Sequence, residues 1–166
     1  MKTVEESILE MHKKGGNTRL TMDLLKQLRN QEQKATDTVY EFFREHLKDD
    51  QKMMDYARNH YERYLKNDPD YPTFEDWFKD CVYDMSGKCW KEGVESWLGE
   101  LKHKDEFDQY LKDIKFQDFL DNLDYKCEVH FVYSDGRYPG DVYSMLADPT
   151  VHISVKFLER SLAYGK

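Results

Sequence analysis

The apolar residues of this chain change period once, near Lys126, from 3.6 residues to 2. A 3.6 period lines one face of a helix and a period of 2 lines one face of a strand, so the change separates a helical part from a β part. Beyond it, Cys127, Val129, Phe131 and Tyr133 alternate with Glu128, His130 and Val132. Val151, Ile153, Val155 and Phe157 alternate with His152, Ser154 and Lys156. Turn signals at Ser134-Asp135-Gly136, Tyr138-Pro139-Gly140-Asp141 and Asp148-Pro149 lie between the two runs, with a short strand expected over Val142 to Leu146. Two or three strands alone are marginal, so the apolar face of such a sheet must cover helices. The expected fold class is α+β, mostly helical with a small C-terminal antiparallel β-sheet packed on the helices.

Before Lys126 the helix signals are local and specific. Thr3 with Glu6 has the form of a capping box, which starts a helix at Val4, and Lys13-Lys14-Gly15-Gly16 ends it. A second helix is expected over Thr21 to Gln33, with Leu24, Leu25 and Leu28 inward. Thr38 with Glu41 repeats the capping-box form and predicts a fresh start. From Val39 a stripe runs through Phe43, Leu47, Met54, Ala57, Tyr61 and Leu65, with a break expected at Asp49-Asp50. Pro69 and Pro72 then stop the helix. Thr73 is an N-cap for a helix carrying Phe74, Trp77, Phe78, Cys81, Val82 and Met85 on one face. Further helices are expected from Lys88 to His103 and from Asp105, with a phase slip near Lys115 before Phe116, Phe119, Leu120 and Leu123. The organisation expected is a helical part (1–67), acidic aromatic-rich helices (68–125) and a small sheet (126–166), together one compact domain. A chain of 166 residues buries enough surface to fold without a disulfide or a metal.

Charge is distributed unevenly. Between Asp68 and Tyr125 lie 16 acidic residues against 7 lysines, while the remainder is close to neutral, so the formal −8 of the chain belongs to this segment. All three tryptophans are there as well. Asp76, Asp80 and Asp84 recur at i, i+4 and i+8, on the face opposite the apolar stripe, and like charges at that spacing cost a helix a few tenths of a kcal/mol each, roughly. Glu92, Glu95, Asp118 and Asp121 continue the acidic series. Rows of carboxylates on aromatic-cored helices have a spacing similar to backbone phosphates and suit the basic groove of a nucleic-acid enzyme. The alternative for each row is a solvated face that only keeps the protein soluble.

The leading expectation is therefore a non-enzymatic acidic protein-binding module, an inhibitor that mimics nucleic-acid charge and blocks a basic surface. In size and charge it resembles small inhibitors of the anti-restriction or anti-CRISPR type, without a shared motif. Its partner would be a basic protein such as a nuclease, bound through Asp76, Asp80, Asp84, Glu92, Glu95, Asp118 and Asp121. Direct binding to duplex DNA is not expected at a pI near 5.3, because phosphate contacts need a surplus of Lys and Arg.

Two other classes remain open at this point. A short helix, a glycine turn and a second helix have the outline of a DNA-reading helix-turn-helix, against the plainer reading of a helical hairpin. His130 and His152 share the polar parity of their strands and are candidates for a small hydrolase. With Cys127 they also make a C-x-x-H plus H set, short of the four ligands of a closed zinc site, so no metal and no cofactor is expected. No Gly-rich phosphate loop or nucleophile elbow occurs. Cys81, Cys89 and Cys127, an odd number, predict free thiols and a reducing cytoplasmic setting. Glu5 and Glu6 stand where a secretory leader would need bases, and no run of 18 apolar residues predicts a membrane span.

Overall fold

A computed structural model of the protein describes residues 1–47, 50–79, 90–101, 104–134 and 150–159. The fold is α+β: the described residues are 65 % helical, with a small two-stranded antiparallel sheet packed against helices. In chain order the elements are α1 (Val4–Lys13), α2 (Thr18–Leu47), α3 (Gln51–Tyr64), α4 (Phe74–Phe78), α5 (Trp90–Glu100), α6 (Lys104–Asp113), α7 (Phe116–Asp121), β1 (Cys127–Ser134) and β2 (Thr150–Phe157). They gather into two compact units: 1–39 with 108–131 and 153–166, and 40–107 with 132–152.

The first unit is built on α1, most of α2, the second half of α6, α7, residues 127–131 of β1 and residues 153–157 of β2. Thr3 caps α1 as its capping-box form predicts, its hydroxyl accepting the Glu6 N–H at 3.1 Å. The turn that follows needs both glycines. Gly15 has φ 104°, a left-handed value, and a Cβ on Gly16 would lie 2.9 Å from the His12 Cα. Asn17 then receives the Leu20 N–H on its side-chain oxygen and starts α2.

The expected helix from Thr21 to Gln33, followed by a new start at Thr38, is corrected here. α2 runs unbroken for 30 residues, because neither Gly nor Pro occurs between Thr18 and Leu47. Thr38 donates its hydroxyl to the Lys34 carbonyl one turn back instead of capping. The inward face of α2 in this unit carries Leu25, Leu28, Ala35 and Val39, all buried. Leu24 lies on the edge of that face and is exposed rather than inward.

The sheet register follows from the Leu158 N–H, which donates to the Lys126 carbonyl at 3.0 Å and sets 127 opposite 157 and 131 opposite 153. Val151, Ile153 and Val155 are buried as their alternation predicts. The outer edge of β2 is closed by other parts of the chain. The Val155 N–H donates to Thr36 Oγ1 at 3.2 Å, the Phe157 N–H to the Glu32 carboxylate at 2.7 Å, and the Glu159 N–H to the Lys2 carbonyl at 2.9 Å. An open edge would template pairing with other chains, and these three bonds remove it. The strand expected over Val142 to Leu146 lies outside the described residues.

The second unit packs the end of α2, α3, α4 and α5 around aromatic rings. Among the described residues its buried apolar side chains are Tyr40, Phe43, Leu47, Ala57, Tyr61, Phe74, Phe78, Val94, Trp97, Leu98, Leu101 and Val151. α2 ends at Leu47, Asp50 belongs to neither helix and α3 begins at Gln51; Asp49, where the break was expected with Asp50, lies outside the described residues. Thr73 caps α4 through the Asp76 N–H. Tyr61 meets Phe74 edge-on, Arg58 lies 4.5 Å over the Phe74 ring, and the Tyr61 hydroxyl donates to the Tyr71 carbonyl at 2.7 Å. That last bond ties α3 to the proline linker. Trp77, expected inward, is only half-buried, with His60 stacked on it at 5.6 Å. The expected continuation of its helix to Met85, with Cys81, lies outside the described residues.

Candidate acidic interaction surface

The phase slip near Lys115 determines how the acidic helices present their charge. Lys115 has φ 57° and ψ 46°, a left-handed conformation that costs a side-chain-bearing residue about 1–2 kcal/mol. It ends α6 and restarts α7 with a new apolar stripe, in which Phe116 is buried and Phe119, Leu120 and Leu123 are half-buried. The other sides of α6, α7 and the following turn then show Asp108, Asp113, Asp118, Asp121 and Asp124 to solvent. Asp113 accepts from Gln109 and Asp121 from Gln117, each at 2.9 Å and one turn apart. Among the described residues none of these five carboxylates lies within ion-pair distance of a Lys, Arg or His.

The expected site residues divide between the two units. Asp118 and Asp121 belong to the first, and Asp76, Glu92 and Glu95 to the second. Asp76 is exposed on α4 beside Glu75, and Glu92 lies on α5. Glu95 is half-buried and faces His152 Nδ1 at 3.3 Å. Asp80 and Asp84 lie outside the described residues. The acids around α3 and α4 are felt inside the second unit: burial raises the Tyr61 phenol above its ordinary pKa, and Glu62, Asp76, Glu75 and Asp68 push it further the same way.

The candidate chemistries look as follows. His130 is exposed and faces its strand neighbour Glu128 at 3.1 Å, while His152 is exposed with Glu95, so the two histidines have different partners. Among the described residues no cluster of three or more metal-binding side chains occurs. Cys127 is half-buried and free, and burial raises its thiol pKa. Among the described residues no helix is long and apolar enough to cross a membrane. The second helix of the helix-turn-helix outline is α2, 30 residues long.

Asp108 and Asp113 carry no sequence signal that separates them from other acids, yet they flank the break at Lys115 and are exposed like Asp118 and Asp121. Glu32 has a structural role as a strand cap. Its signal was a lone carboxylate in phase with Leu25, Leu28, Ala35 and Val39. Comparison of the chain with protein-family models, curated proteins and solved structures finds no match.

Proposed function

We propose that the protein is a non-enzymatic binding module whose acidic helices engage a basic protein surface, that of a nucleic-acid enzyme above all, in place of its polyanionic substrate. The observation that supports this reading best is the row of exposed aspartates at 108, 113, 118, 121 and 124, without ion pairs among the described residues. Surface carboxylates close to one another and without a cation repel one another, and an incoming basic surface relieves that repulsion while steering encounter.

The test is parallel capture from a cell lysate on immobilised wild type and on the Asp108→Asn/Asp118→Asn/Asp121→Asn variant. A nucleic-acid-binding protein that elutes from the wild type with salt, is lost from the variant, and is displaced from its own DNA by the free wild type supports the reading. Identical captures on both columns refute it. The same reading expects no salt-sensitive mobility shift of duplex DNA by the protein alone, because the chain carries a formal −8.

A further inference from the structure

The two sides of the sheet end differently. On β2 the N–H groups of Val155 and Phe157 point away from β1, one to Thr36 Oγ1 and the other to the Glu32 carboxylate. Val129 and Cys127 stand opposite these two residues in the antiparallel register. Directly opposed residues of such a pair aim their backbone groups both toward the neighbouring strand or both away from it. The N–H and C=O groups of Cys127 and Val129 therefore point outward along the far side of β1. Among the described residues no backbone hydrogen bond reaches these N–H groups and no third strand joins the sheet.

Burial falls off toward the same side. Ile153 and Val155 on β2 are buried, while Cys127, Val129 and Phe131, on the same face of β1, are half-buried. An unpaired edge with half-covered apolar side chains is a template for a further strand. Backbone bonds supply the affinity there and side chains choose the strand.

The side chains of this edge choose a second β1. Glu128 and His130 lie on the other face of the strand and already meet at 3.1 Å within one chain. In an antiparallel meeting of two β1 strands centred on Val129, each Glu128 stands opposite the second copy's His130. The four groups then form a closed ring of alternating carboxylates and imidazoles. The adjacent registers on either side set Glu128 against Glu128 or His130 against His130. Complementary opposed pairs stabilise a sheet and opposed like charges destabilise it, so one register is selected.

We propose that the protein forms a two-fold dimer through β1, joining two small sheets into one four-stranded antiparallel sheet. The Val129 N–H of each copy donates to the Val129 carbonyl of the other, and the Cys127 N–H to the Phe131 carbonyl of the other. Such a contact is isologous: it uses both free edges at once and stops at two. This inference goes beyond the binding role proposed above, uses a different surface, and is tested on the purified protein alone. Either can therefore fail without the other.

The experiment is sedimentation equilibrium over a range of concentrations. The expected mass rises from the 20.0 kDa of one chain toward that of two chains and no further. Val129→Pro removes an outward N–H without touching the ladder to β2, a place where an edge strand accepts proline, and should stay monomeric. His130→Glu sets carboxylate against carboxylate at two symmetric places and should weaken the dimer by about tenfold. Glu128→Lys/His130→Glu restores opposite charges and should recover it. Circular dichroism checks the fold of each variant. Should Val129→Pro unfold, His130→Glu and its rescue decide. A mass that stays at one chain overturns the proposal. So does growth past two chains, a dimer that ignores His130→Glu, or a double variant that fails to recover it.

Discussion

The backbone N–H of Phe157 donates to the carboxylate of Glu32 at 2.7 Å, 125 residues away in the chain. Glu32 is 5 % exposed. Its second oxygen lies 3.8 Å from Lys156 Nζ, which also bonds Glu5 at 3.2 Å. One helix carboxylate thus closes a strand edge and draws the N-terminal helix to the same place. Replacing Glu32 with Ala strands a part-buried N–H, where a fully buried one would cost about 1–3 kcal/mol. Glu32→Gln keeps an acceptor and should lose less. Urea denaturation of the two variants measures the difference, and equal stabilities would show that the edge bond contributes nothing.

Trp77 and Trp97 should behave differently. Trp97 is 3 % exposed and Trp77 is half-buried. Trp97→Ala removes a buried ring and is expected to cost about 3–5 kcal/mol. Trp77→Ala should cost clearly less and mainly release His60. Thermal melts rank the pair, and a larger loss at Trp77 would contradict the packing described.

Tyr61 links stability to alkaline pH. Burial first, then the neighbouring acids, raise its phenol pKa in the folded protein. A raised value means the folded state prefers the protonated form. The contribution is fully present below the ordinary tyrosine value near 10 and is lost as pH rises through the folded value. Tyr61→Phe should start less stable at neutral pH, because the bond to the Tyr71 carbonyl is gone, but should decline less steeply above that point. Denaturation followed from neutral to alkaline pH tests this, and parallel declines would contradict it.

Cys127 should react slowly. Burial raises its thiol pKa, which keeps the thiolate, the reactive form, scarce at neutral pH. A thiol reagent should modify it far faster after denaturation than before, measured site by site by peptide mapping. Equal rates would place the thiol at the surface.

Much of this architecture was readable from local chemistry. Thr3 and Thr73 cap helices because a hydroxyl beside a helical run satisfies an otherwise orphaned N–H wherever the run lies. The break at Lys115 showed as a slip in the apolar stripe, and both strands showed as alternation. Thr38 with Glu41 misled for the same local reason. A capping box is a short pattern that also fits inside a helix, and there the hydroxyl turns back to Lys34. The role of Glu32 depends on β2, more than a hundred residues later, so it could be suspected only as a charge on an apolar face. The exposure of Asp76, Asp118 and Asp121 was foreseeable from their phase. The half-burial of Glu95 against His152 and the division of these acids between two units were not, because they depend on how distant segments pack.

The central claim is that the carboxylates of α6 and α7 are an interaction surface and not only a solvated one. Stopped-flow association of wild type and of the Asp108→Asn/Asp118→Asn/Asp121→Asn variant with the captured basic partner, at low and high salt, tests it most directly. Thermal melts of the same samples should show equal or slightly higher stability for the variant, since like-charge repulsion is removed. The account predicts a slower on-rate for the variant at low salt and a shallower salt dependence, as when charges steer encounter. Equal on-rates at low salt would contradict it.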